Sequence, residues 1–151
     1  MKVVLQRVKS AFVEVEQTKI SEISKGLLIF WGIEKLDSQV DSEVLVNKVL
    51  NLRIFSDENQ KMNKSICDIN GEILIVSQFT LAANTLKGNR PSFINAKDPN
   101  EAEDMIDHIV YHLSKSVTTK TGIFGAMMNV GLINDGPATF ILSSKNGKLT
   151  P

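Results

Sequence analysis

Short apolar runs open the chain. Val3 to Val8 and Ala11 to Glu16 have strand character, with Phe12, Val13 and Val15 alternating imperfectly with Glu14 and Glu16 as on a half-buried sheet. Gly26-Leu27-Leu28-Ile29-Phe30-Trp31-Gly32-Ile33 is apolar and bounded by glycine, the pattern of a buried strand. From Asp37 to Leu52 the period changes: Val40, Val44, Leu45, Val49 and Leu52 fall at helical spacing. Arg53-Ile54-Phe55 then runs into Ser56-Asp57-Glu58-Asn59, a turn-rich stretch.

Asn70-Gly71 is a turn signal that leads into Glu72-Ile73-Leu74-Ile75-Val76-Ser77, a second candidate for a central strand. The next helix is marked more sharply. Asp98 can cap it, Pro99 suits its first position and Glu101 completes a capping-box pattern. Ala102, Met105, Ile106, Ile109, Val110, Leu113 and Val117 then form one apolar face. Met127 to Ile133 and Ala138 to Ser143 return to strand character, separated by a turn at Asn134-Asp135-Gly136-Pro137. Two main helices against a largely antiparallel or mixed sheet predict an α+β domain. With 151 residues, no internal repeat and no linker, residues 1–151 read as one domain.

Composition narrows this little. At 42% hydrophobic and 23% charged the chain resembles an ordinary water-soluble protein, and no apolar run reaches the roughly 18 residues that span a bilayer. Met1 to Arg7 turns polar too soon for a signal peptide, and the single Cys67 rules out an intrachain disulfide, so a cytoplasmic location is expected. Seventeen basic residues balance seventeen acidic ones. A broad nucleic-acid grip usually needs a basic excess, so any RNA contact would be local.

Familiar catalytic constellations are missing. His108 and His112, spaced i, i+4, are not followed by the glutamate of a zinc-protease helix, and a solvated helix face explains them. Neither a Gly-x-Ser-x-Gly elbow nor a phosphate-cradling glycine loop is present; Gly122-Ile123-Phe124-Gly125 fits no such pattern. Cys67 has no evident base beside it and reads as an inert thiol. No metal or cofactor is called for.

Two segments stand out. In Val76-Ser77-Gln78-Phe79-Thr80 an aliphatic strand suddenly acquires three polar side chains, and strand alternation would put Ser77 and Phe79 on one face and Gln78 and Thr80 on the other. This is either a strand leaving the core or a rim of donors for a ligand. Asn134-Asp135-Gly136-Pro137 is either a plain hairpin turn or something more specialised. Read singly, neither names an activity.

Together these segments resemble the D-aminoacyl-tRNA deacylase family, and other motifs extend the likeness over nearly the whole chain. They include Gln6-Arg7-Val8, Gly26-Leu27-Leu28, Asn51-Leu52-Arg53-Ile54-Phe55, Lys87-Gly88, Arg90-Pro91-Ser92-Phe93 and Phe124-Gly125-Ala126. The resemblance implies hydrolysis of the ester between a D-amino acid and the terminal adenosine of tRNA. It implies a homodimer with active sites at the subunit interface, where Ser77, Gln78, Phe79 and Thr80 of one chain face a cis Gly136-Pro137 of the other. Phe124 and Met128 fall where that family is expected to hold the adenine. Asn134 and Arg7 are further substrate-binding candidates, and Lys87 and Arg90 are candidates for tRNA phosphates. Met127 stands where the family commonly has aspartate, and Ala138 where a β-branched residue is commoner.

Simple chemistry suits this implication. An aminoacyl ester is already activated, so backbone amides near Phe79 and Thr80 can stabilise the oxyanion while water attacks, and Thr80 need only position the substrate. The competing expectation is an idle dimer that binds the tRNA 3′ end or free D-amino acids. A metal hydrolase using His108 and His112 is the third.

Overall fold

A computed structural model describes all 151 residues. Its spine is β1 (Lys2–Val15), one strand of 14 residues where two were expected. Irregularities at Gln6/Val8 and Val8/Ser10 let it change neighbours without breaking. The first half pairs with β3 (Gly26–Gly32) and the second with β2 (Thr18–Ile23), both antiparallel. Strand β6 (Glu72–Ser77) then lies parallel to β3, and β7 (Thr118–Thr121) parallel to β6. On the far side of β1 runs β8 (Asn129–Lys145), with β9 (Lys148–Thr150) at its end. A small ribbon of β4 (Phe55–Ser56) and β5 (Met62–Lys64) occupies the stretch read as a turn. The sheet is thus mixed, as expected, although β7 and β9 are too short and polar to show in the hydrophobic pattern.

Helices α1 (Gln39–Asn51) and α2 (Pro99–Ser114) cover one face. Their Leu45, Val49, Ile109 and Leu113 meet Leu5, Ile29, Trp31 and Ile75 in the larger core. The other face gathers Val8, Ala11, Val13, Leu28, Leu74 and Val76. Strands β3 and β6 are therefore covered on both sides, which is why they read as unbroken apolar runs. The sheet curls until β2 approaches β7, where Lys120 Nζ donates to the Glu22 carbonyl at 2.6 Å.

Three local expectations need correction. Helix α1 begins after Ser38, whose amide and hydroxyl both donate to the Asp41 carboxylate at 3.0 Å. Its buried face is Asp41, Ser42, Leu45, Val46 and Val49, while Val40 is exposed. Buried polar caps at its N-terminus displaced the apolar stripe that spacing alone suggested. In α2, Asp98 accepts from the Asn100 amide at 3.0 Å and Pro99 occupies the first turn, but Glu101 turns to Lys97 instead of closing a capping box. Finally, Asn134 to Pro137 is not a hairpin turn. Strand β8 is continuous, pairing Asn129–Asn134 and Thr139–Ser143 with the same strand β1. Asp135, Gly136, Pro137 and Ala138 stand opposite the single Arg7 as an enlarged bulge. No helix is long and apolar enough to cross a membrane.

Candidate active site

Strand β6 stops at Ser77, and the chain folds at once into a 3-10 turn, Phe79–Ala82, entered through Gln78. Strand alternation therefore does not continue through Phe79 and Thr80. The last ladder bond runs from the Gln78 amide to the Trp31 carbonyl at 2.9 Å. Leu81 N then bonds back to Gln78 O and Ala83 N to Thr80 O, each at 3.1 Å. The amides of Phe79 and Thr80, first in the turn, have no carbonyl inside it to meet. Gln78 Nε2 donates to Thr80 Oγ1 and fixes the hydroxyl beside them.

This turn forms one wall of a cavity of about 770 Å3. Phe124 to Met128 also line it, as do Phe93, Lys97, Asp98 and Pro99. Phe79 is 57% exposed and meets Phe93 edge-on, ring centroids 4.9 Å apart. Phe124 and Met128 are half-buried and add to a lining that is mostly apolar. Met128 is pressed into place because Gly122 has no side chain: a Cβ there would strike the Met128 sulfur. Met127, by contrast, is 92% exposed.

Six of the expected site residues are thus brought together: Ser77, Gln78, Phe79, Thr80, Phe124 and Met128. Gly136 and Pro137 do not line this cavity. They protrude, exposed, from the β8 bulge, and their peptide bond is cis. Arg7 and Asn134 hold that bulge. Arg7, 8% exposed, donates from Nε to the Asp135 carbonyl at 2.8 Å, from Nη1 to the Ile54 carbonyl, and lies 3.3 Å from the Asp135 carboxylate. Asn134 Nδ2 donates to the carbonyls of Arg7 at 3.1 Å and Ala138 at 3.3 Å. The Arg7 guanidinium and the Asn134 side-chain amine are thus committed within the chain, although Asn134 is exposed, and Ala138 is buried. Lys87 and Arg90 are exposed on a loop closed by paired bonds between Asn84 and Ser92.

Phe93 and Lys97 were not anticipated as walls of the site. An aromatic residue in the polar stretch after Arg90 was the available signal for Phe93. Lys97 gave none, because its burial comes from Nζ folding back to the Lys35 carbonyl at 3.2 Å.

The remaining candidates lie elsewhere. His108 and His112 are not freely solvated; they are half-buried in the crevice between α1 and α2, ring centroids 4.2 Å apart, with Gln39 bonded to His108. Burial lowers the pKa of His112, and the neighbouring His108 and Lys115 push the same way against Glu43. No three His, Cys, Asp or Glu side chains gather as a metal would require. Burial raises the Cys67 thiol, helped by the charge of Asp68, so it stays protonated.

Such a site combines an apolar lining at Phe124 and Met128 with two backbone amides left without a partner in the turn after β6. Comparisons with known proteins bear on the chain as a whole. The chain matches the family described as D-Tyr-tRNA(Tyr) deacylase over residues 4–143. A D-aminoacyl-tRNA deacylase of Syntrophus aciditrophicus (strain SB) is 51% identical over 146 residues, covering 96% of this chain and 98% of that one. One of Thermodesulfovibrio yellowstonii is 55% identical over 142 residues, covering 93% and 97%. Among solved structures, the c-Myc DNA Unwinding Element Binding Protein is 44% identical with a TM-score of 0.91, covering 96% of this chain and 99% of its own. A probable eukaryotic D-amino acid tRNA deacylase, 15% identical with a TM-score of 0.79 over 93% and 97%, shares the fold.

Proposed function

The chain belongs to the D-Tyr-tRNA(Tyr) deacylase family, and from that premise we propose how it works as a hydrolase that cleaves the ester of D-aminoacyl-tRNA. The terminal adenine enters the slot between Phe124 and Met128, which brings the ester carbonyl to the turn after β6. The free amides of Phe79 and Thr80 at the cavity rim are the observation that carries this reading. They accept the negative charge that builds on the carbonyl oxygen as water attacks. A donor of this kind is typically worth about 100- to 1,000-fold in turnover. The Thr80 hydroxyl, already accepting from Gln78, positions the substrate and is not consumed as a nucleophile. No histidine lies beside it to take its proton.

The working unit is a homodimer. Gly136 and Pro137 stand outside their own chain's cavity, exposed, which fits their serving the site of a second copy. Exposed Phe79, Met127, Ile133 and Ile141 offer the apolar surface such a pairing would bury. The partner's Gly136 and Pro137 receive the α-amino group and leave no room for an L side chain, so the enzyme rejects L substrates without reading a particular D side chain. Glycyl-tRNA, with no side chain to exclude, is hydrolysed too. Lys87 and Arg90 meet phosphates near the tRNA end, and such a substrate places the enzyme in the cytoplasm.

Matched incubations with D- and L-tyrosyl-tRNA test the assignment. The D ester should be hydrolysed and the L ester spared; equal or absent hydrolysis of the two sinks it.

A further inference from the structure

The turn that carries the two free amides packs against strand β3 with no side chain on the strand's side of the contact. It rests on Gly32, the last residue of β3, which is buried. A Cβ built on Gly32 would lie 2.6 Å from Leu81 Cβ, 3.0 Å from the Gln78 carbonyl oxygen and 3.4 Å from Leu81 Cδ1. Two carbons not bonded to each other approach comfortably only to about 3.5–4.0 Å. The Gln78 carbonyl and the Leu81 side chain, on the residues that bracket the amides of Phe79 and Thr80, therefore fill the space that a side chain at position 32 would need. The φ of Gly32 is not in the left-handed region, so space and not backbone conformation demands glycine here.

We propose that Gly32 is a positioning residue for the hydrolysis: the missing side chain is the seat that sets the depth of the Gln78–Leu81 turn and hence the aim of the Phe79 and Thr80 amides. The proposal rests on the deacylase reading above for its catalytic consequence. A methyl group at this position pushes the turn outward by about 1 Å, since strand β3 behind it is fixed on both faces by core residues. Lys2 Nζ, reaching the Leu81 carbonyl at 3.4 Å, is too loose a tie to pull it back. The cavity walls formed by Phe124 and Met128 are untouched by this shift, so substrate still binds while the amides miss the oxyanion.

The test is Gly32→Ala, set against Gly71→Ala at the opposite end of β6, where an added Cβ meets Ile66 and Ile69 far from the site. Gly32→Ala should lower kcat on D-tyrosyl-tRNA by about tenfold or more with KM within about twofold, the mark of an interaction made in the transition state. Gly71→Ala should lower the melting temperature yet leave kcat within about twofold of wild type. A folded Gly32→Ala enzyme with unchanged kcat overturns the proposal, as does an equal loss of kcat in Gly71→Ala. Should Gly32→Ala alone fail to fold, Leu81→Gly in the same chain removes the Cβ it strikes. The pair should then match Leu81→Gly alone within about threefold, and a further loss of about tenfold overturns the seat. If wild type hydrolyses nothing, the activity assignment falls. The seat is then judged on the amide resonances of Phe79 and Thr80, which must move in Gly32→Ala and stay put in Gly71→Ala.

Discussion

The turn after β6 and the bulge in β8 carry the two halves of the proposed chemistry, and they are held by opposite means. The turn is seated by close packing: Gly32 below it and a ladder bond from Gln78 to Trp31 leave it no room to sink and little to adjust. The bulge is strung on polar side chains, with Arg7 taking the carbonyls of Ile54 and Asp135 and Asn134 taking those of Arg7 and Ala138. Repulsion at short range is steep and insensitive to solvent, so a packed seat fixes depth and breaks when bulk is added. Hydrogen bonds are directional and break when a donor is removed, leaving buried carbonyls unpaired. The group proposed to aim at a developing charge sits on the stiffer mount, and the group proposed to meet a second chain sits on the more adaptable one.

The largest test of this contrast is Arg7→Met. It keeps much of the aliphatic stem and removes every donor, leaving the Ile54 and Asp135 carbonyls and the Asp135 carboxylate without a partner. A loss of about 3 kcal/mol is expected for a buried, charge-assisted set of this kind. At roughly 2–4 °C per kcal/mol for a domain of this size, calorimetry should show a clear fall in melting temperature. Discrimination between D- and L-tyrosyl-tRNA should weaken as well, because the bulge loses its anchor. Unchanged stability would mean that the bulge is held by something other than Arg7. Arg7→Lys should rescue little, since one ammonium cannot reach both carbonyls as the fork does.

Next comes Thr80→Ala, which probes the turn through its side chain and not its seat. If Thr80 only positions the substrate, kcat should fall by about tenfold, at the low end of what general positioning effects provide. Single-turnover experiments on wild type should find no acyl-enzyme; a trapped one would make Thr80 the nucleophile. The melting temperature should hold, because Thr80 is exposed. Asn134→Ala follows with a smaller cost, about 1 kcal/mol for two neutral hydrogen bonds of which the longer spans 3.3 Å. Urea unfolding should resolve it. A cost equal to that of Arg7→Met would show that the bulge has two equal anchors.

How far the chain revealed itself differs between these regions for a physical reason. Strands β3 and β6 and helix α2 were legible because burial on both faces, or on one stripe, leaves a plain periodic mark. Ser77 to Thr80 was legible as a break in such a mark, but the 3-10 turn was not: nothing near Phe79 says that Gly32, some fifty residues earlier, lies under it. The Asn134–Pro137 segment misled for the converse reason. Its composition is that of a turn, and only the return of Thr139–Ser143 to the same partner strand makes it a bulge. Arg7 likewise looked like a substrate contact by position in the family pattern, whereas its bonds run to the main chain of Ile54 and Asp135. Local pattern shows which residues leave the core; it cannot show what they meet on arrival.

The smallest effect should come from the side-chain tie between Lys2 and the turn. Lys2 Nζ lies 3.0 Å from Glu34 and 3.4 Å from the Leu81 carbonyl. Burial pushes the Glu34 carboxyl up, but its hydrogen bond with Lys2, the Lys2 charge and the nearby α-amino group of Met1 pull it further down, for a net pKa below the usual glutamate value. A carboxyl depressed on folding stabilises the fold fully above its ordinary range, and that contribution is lost as pH falls through the lowered value. Glu34→Gln should therefore be slightly less stable than wild type near neutrality, and the two unfolding curves should converge on acidification. Turnover should hardly change, since Gly32 and the Trp31 ladder bond remain. A drop in kcat as large as that of Thr80→Ala would mean that the turn, too, hangs on polar side chains, and the distinction between the two mounts would collapse.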